Sequence, residues 1–161
     1  MSVFKSQFSR ALEVIKSDNA NIPYPAESSS GTNTSVTVAS LVDSAATFVT
    51  NNVATGDIVY NTTDGTAATV LVVVSQTTLL LNADIFTGTS KAYVVYTASA
   101  QTSNGNPGCN LYIGGAGNVR VTTIGGDIVT FSAVIVGSVL PVQVIKLHST
   151  GTSATLIDAL W

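Results

Sequence analysis

The chain is short of charge. Asp, Glu, Lys and Arg make up 9% of its 161 residues, against about 25% in an ordinary soluble domain. Six Lys and Arg cannot build the basic footprint that nucleic-acid binding requires, so no nucleic-acid partner is expected. One cysteine excludes an internal disulfide framework, and one His leaves no Cys/His cluster for zinc. Long apolar runs are missing too. Val70 to Val74 is the longest, far below the roughly 20 residues that span a bilayer. Phe131 to Leu147 is interrupted by Ser132, Gly137, Ser138, Pro141 and Gln143. Nothing near Met1 has a signal peptide's apolar core. The expectation is therefore a chain made in the cytoplasm with no membrane partner.

What is present is apolar and β-branched. Hydrophobic residues make up 45% and the formal charge is −3, with a mean hydropathy of +0.42. Intrinsic disorder does not fit such a composition. The chain carries 22 Val and 22 Thr, side chains that are stiff at χ1 and suit a pleated, half-buried surface. A monomer normally keeps itself soluble with surface charge. Lacking that, this chain is expected to cover much of its surface with copies of itself or with partners.

Only the N-terminus has helical spacing. Phe4, Phe8, Leu12 and Ile15 fall on one face of a 3.6-residue period. Ser17-Asp18-Asn19 ends it, and Pro23 and Pro25 hold Asn21 to Pro25 extended. Glu27 to Asn33 is a Ser/Gly/Thr linker. Residues 1–33 thus read as an arm, a short helical or irregular segment followed by an extended strip. It packs either on its own core or on a neighbouring subunit.

From residue 34 onward the pattern predicts strands over 34–42, 46–50, 57–61, 67–75, 77–82, 92–97, 109–113, 118–124, 128–133, 139–148 and 154–160. Gly-rich turns separate them, among them Asp64-Gly65, Gly114-Gly115 and Gly125-Gly126. The class is mostly β: antiparallel β-sandwich or barrel lobes, jelly-roll-like, behind the short arm. Residues 101–108 read as a linker between a lobe at 34–100 and a C-terminal lobe at 109–161. Gly56-Asp57-Ile58-Val59 and Gly126-Asp127-Ile128-Val129 echo each other as turns that feed strands.

A search for chemistry yields little. His148 is the only base for a nucleophile and sits in a strand pattern, with no Gly-x-Ser-x-Gly elbow anywhere. Cys109 opens a strand and reads as a small buried residue. Asp57, Asp64, Asp84 and Asp127 occupy turn contexts, where the carboxylate bonds the local backbone. An isolated ion site is the alternative, but no calcium-loop spacing is present. Gly114-Gly115-Ala116-Gly117 runs into strand-like residues and not a helix, so it reads as a hairpin and not a dinucleotide fingerprint. The aromatic residues are scattered at strand positions, as core packing requires. Trp161 closes an apolar Ala159-Leu160-Trp161 terminus, and its indole is expected in a core or a subunit interface. No cofactor, no metal and no enzymatic activity are expected.

Several segments carry a resemblance. Gly56 to Asp64, Leu81 to Phe86, Leu111 to Gly115 and Asn118 to Asp127 resemble tailed-phage virion structural proteins. Leu140-Pro141-Val142-Gln143-Val144, Thr150-Gly151-Thr152-Ser153-Ala154-Thr155 and the closing Ala159-Leu160-Trp161 resemble the head spike base family of phages and gene transfer agents. Ser17 to Pro25 is similar to cyanophage versions. Residues 26–55 and 87–108 carry no part of it. The resemblance implies a virion component, a head (capsid-vertex) spike base or decoration subunit that anchors a spike or fibre. The alternative is a tail or baseplate adaptor or fibre component binding host glycan. Implied partners are copies of the chain in a trimer or pentamer, the major capsid or other virion proteins, and the spike or fibre protein. The residues expected at those interfaces are Phe4, Phe8, Leu12, Pro23, Tyr24, Pro25, Leu140, Pro141, Leu160 and Trp161.

Overall fold

The computed structural model describes residues 8–98 and 108–161; Phe4 and all but the last residue of the expected linker at 101–108 lie outside them. Every strand pairing in it is antiparallel. The described residues contain no helix, so the mostly-β class stands.

The first lobe is one seven-stranded sheet. Its strands are β2 (Glu27–Thr32), β3 (Ser35–Thr37), β4 (Ser40–Val42), β5 (Ile58–Asn61), β6 (Thr66–Ser75), β7 (Thr78–Leu81) and β8 (Ala92–Tyr96), in the order β2-β8-β5-β6-β7-β4-β3. Its inner face buries Leu41, Val59, Ala68, Val70, Leu79, Leu81, Tyr93 and Val95. Phe48, Val53, Ile85 and Phe86 close that core from two connecting segments.

The C-terminal lobe is a sandwich of two small sheets. One is β1-β14-β9-β12, from β1 (Ala11–Glu13), β14 (Thr155–Leu160), β9 (Asn110–Gly115) and β12 (Ser138–Val139). The other is β11-β10-β13, from β11 (Ile128–Val134), β10 (Gly117–Thr123) and β13 (Val144–Leu147). Leu111, Ile113, Val119, Val121, Leu140, Val144, Leu147 and Ile157 fill the space between them.

The N-terminal segment corrects the helical reading. Ala11 to Glu13 pair with Leu160 to Asp158 as an edge strand. Isolated short helices are marginal, and here the open edge of β14 offers the same backbone its hydrogen bonds together with a core. Val14 and Ile22 enter the C-terminal core. Leu12, Ile15 and Ala20 meet Ile58, Tyr60, Ala67 and Tyr96 on the outer face of the first sheet. Ser17 Oγ donates to Ala67 O at 2.9 Å while Ser17 N donates to Leu147 O at 2.9 Å. The arm therefore packs on its own chain, as a seam between the lobes.

Four further expectations change. Glu27 to Thr32, read as linker, is β2 and hydrogen-bonds to β8, so the first lobe begins there and not at residue 34. Residues 34–42 fold back as the β3–β4 hairpin, which turns at Ala39 with φ 50°. Residues 46–50 form turns, and Phe48 plugs the core from them. Residues 139–148 break around Pro141, leaving β12 and β13 in different sheets.

Candidate assembly surfaces

The titratable groups come first, since any catalytic reading must start with them. The turn after β13 and the arm bring one cluster together. His148 Nδ1 lies 3.3 Å from Asp18 Oδ1, and its Nε2 lies 2.8 Å from Thr122 Oγ1. Sequence alone did not pair these residues, which are far apart along the chain. The order Asp–His–Thr resembles a nucleophile relay, but the rest of the cluster points to a clamp. Ser149 Oγ at 2.6 Å, Thr150 Oγ1 at 2.7 Å and Thr150 N at 3.2 Å all donate to Asp18 Oδ2. Thr122 sits mid-strand in β10, paired on both sides with Ile128 and Lys146. Acyl transfer needs backbone donors aimed at a reacting oxygen, and a paired central strand leaves none free at that point.

The hydroxyls of Ser149 and Thr150, followed by the Thr150 amide and His148, hold the Asp18 carboxyl well below the usual carboxylate range. The folded state therefore favours the ionised form. That stabilisation is complete above the ordinary value of 3.8 and drains away as pH falls below it. Asp18 is partly exposed, so solvent screens the clamp and its worth is about 1 kcal/mol. We expect Asp18→Asn to lower Tm by about 3 °C at neutral pH and to flatten the loss of Tm between pH 4 and pH 2. Thermal melts across that range check it, and parallel acid limbs for the two proteins would show that the clamp is not formed.

Of the turn carboxylates, Asp57 bonds backbone as the sequence implies. Asp57 accepts from Ala54 N at 2.9 Å and Ala98 N at 3.0 Å. Asp64 pairs with Lys91 Nζ at 2.8 Å, and that ammonium, with the Asn61 amide, lowers its pKa. The backbone of Asp127 closes a turn with Thr123. Asp43, buried, takes the Tyr93 hydroxyl at 2.7 Å. Cys109 is buried and its thiol is pushed up to about 12, which makes it inert. Among the described residues no group of three or more His, Cys, Asp or Glu could hold a metal ion. A cleft of about 530 Å³ at the lobe seam is lined by Asn21, Ile22, Gly56, Ile58, Thr69, Ala98, Ile124 and Ile145, with no titratable side chain among them.

The expected interface residues are mostly engaged within the chain. Tyr24 and Trp161 meet edge to face, ring centroids 5.7 Å apart, with the Arg10 guanidinium 5.2 Å over the Tyr24 ring. Arg10 Nη1 donates to Pro25 O at 2.6 Å. Pro23 is buried, Leu140 is core, and Leu160 pairs with Ala11 and Asn110. Leu12 lies in the seam. Phe8 and Pro141 are exposed.

Open apolar surface lies elsewhere, and two stretches of it stand out. On the first lobe the arm covers the outer face of the β5–β6–β8 half of the sheet and stops. Beyond it Leu71, Val72, Val74 and Leu80 are exposed, with Val72 opposite Leu80 across β6 and β7. A bulge between Val70 and Val72 turns this stretch outward. On the C-terminal lobe Ile128, Val129, Ile135, Val136, Val139 and Leu156 are exposed. The sequence signal for both was there: an unbroken apolar run at 70–74, and no charged residue between Asp127 and Lys146. Neither is visible as a surface until the pairing is known. No protein-family model, curated protein or solved structure matches the chain.

Proposed function

We propose that this chain is a structural subunit of a tailed-phage virion, a head spike base or decoration subunit at a capsid vertex that anchors a spike or fibre. The observation that carries the reading is exposed apolar surface on both lobes of a chain in which charged residues make up 9%. Exposed patches of this kind mark contact sites. A subunit held in a particle shields such surface with its neighbours. The motifs shared with the head spike base family supply the particle. Antiparallel sheets fastened by the N-terminal seam give a rigid body that transmits load without chemistry. Copies of the chain form a closed trimer or pentamer in this reading, and the loops on its free side receive the spike or fibre. The test is location. Antibody raised against the purified chain should decorate mature particles at the head vertices. Decoration at the tail tip would move the protein to a baseplate or fibre role, and absence from purified particles would overturn the virion reading.

A further inference from the structure

We propose that β11 is a self-association edge, pairing antiparallel with β11 of a second copy of this chain about a twofold axis. This rests on the self-assembly in the proposed function and adds to it a twofold contact, distinct from the contacts that close a ring.

The backbone directions follow from the hydrogen bonds. His148 N donates to Arg120 O at 2.9 Å, and Arg120 N donates to Thr152 Oγ1 at 2.9 Å. The backbone of Arg120 therefore faces away from β11. Val119 and Val121 face towards it, opposite Phe131 and Val129. Thr123 N, donating to Asp127 O at 2.9 Å, continues the alternation. It follows that Ile128 and Thr130 aim their N–H and C=O groups outward, as does the N–H of Ser132. No hydrogen-bond partner for these groups lies among the described residues, and β11 is an edge of its sheet.

Natural sheets guard such edges with charge, proline, short length or a covering segment. The other edges here are guarded. β1 and β3 have three residues each and β12 has two. β13 is covered by the arm, through Ser17 N to Leu147 O and Ile22 N to Ile145 O at 2.8 Å. β2 is polar and opens with Glu27. β11 has seven residues, none charged and none proline. Ile128 is 58% exposed, and Ile135 and Val136, just past the strand, are 71% and 61% exposed.

Neutrality selects the occupant. A charged partner strand would gain nothing from an edge without ions, whereas a second β11 brings the same neutral face and no repulsion. The register centred on Thr130 uses all three outward-facing positions. It sets Thr130 opposite Thr130, Ile128 opposite Ser132 and Val129 opposite Phe131 of the second copy. Thr–Thr and aromatic–β-branched pairs are favourable across strands. The bulge at Gly117/Val119, where Ala133 takes φ 53°, ends the regular stretch just beyond. A twofold contact pairs a subunit of one ring with a subunit of another; closure of each ring falls to other surfaces, such as the bare face of β6 and β7.

The test uses the full chain. Directly opposed hydrogen-bonded residues have Cα atoms about 5.5 Å apart, within disulfide range. Thr130→Cys should cross-link to a covalent dimer under mild oxidation, Cys109 being buried. Thr130→Lys, on an exposed position, should leave Tm unchanged and weaken self-association tenfold or more by sedimentation. If the wild-type chain associates while Thr130→Lys changes nothing and Thr130→Cys does not cross-link, the β11 contact is wrong and self-assembly stands. If the wild-type chain is monomeric at every concentration, both fall.

Discussion

Deleting Ala159 to Trp161 should cost the protein a third or more of its stability. Ala159 is fully buried between Leu111 of β9 and Leu12 of β1. Trp161 N donates to Arg10 O at 3.0 Å, and Trp161 O accepts from Arg10 N at 3.1 Å and from Ser9 N. Without these residues β1 keeps only the Glu13–Asp158 register pair and the bond from Val14 N to Ile157 O. The seam then loosens, and with it the anchorage of Val14 and Ile22. The lost aromatic burial, the Tyr24–Trp161 contact and the hydrogen bonds sum to about 5 kcal/mol. Stabilities of 5–15 kcal/mol are typical. We expect Tm to fall by at least about 10 °C, with hydrogen exchange accelerated first over residues 9–25. An unchanged melt would show that the terminus is not part of the seam. Trp161→Leu, which keeps the backbone bonds, should lose only about a third as much.

Phe48→Ala should be the most damaging single substitution in the first lobe. Phe48 has no exposed surface, and its ring lies 6.0 Å from that of Tyr93. It comes from a turn segment, not a strand, and that segment is held by Phe48 N to Gln76 O at 2.9 Å and Val53 N to Phe48 O at 3.0 Å. Removing the ring opens a cavity under one of the two segments that close this core. Cavities of this kind cost about 3–5 kcal/mol, a Tm loss of about 6–20 °C. Because the single tryptophan reports on the seam and C-terminal lobe, far-UV dichroism should fall before indole fluorescence does. Coincident transitions with wild-type Tm would mean that Phe48 does not fill the core.

The strands of this fold were legible because Val and Thr at period two, broken by Gly and Asp, carry their own punctuation. Gly56, Gly65 and Gly126 all take positive φ where the sequence places turns. What was not legible followed from tertiary partners. Phe8, Leu12 and Ile15 keep helical spacing, yet the waiting edge of β14 decides for strand. Ala39 makes its turn without glycine, so the β3–β4 hairpin left no mark. The polar β2 segment looks like linker because its partner, β8, supplies the pairing. Among the interface candidates, an apolar residue near a terminus looks the same whether it closes its own core or a neighbour's. Leu140 and Trp161 pack in their own core, and Tyr24 stacks edge to face on Trp161. Leu71, Val72, Ile128 and Val129 appear in the sequence as ordinary strand residues, and only the sheet order reveals that none of the described residues covers them.

The central claim is that a chain this poor in charge shares its surface with copies of itself. Sedimentation equilibrium of the purified full-length chain, over a hundredfold range of concentration, tests this most directly. The account predicts a discrete oligomer of fixed stoichiometry that persists at high salt, since apolar and backbone contacts are not screened as ion pairs are. A single 16.5 kDa species throughout that range would contradict it.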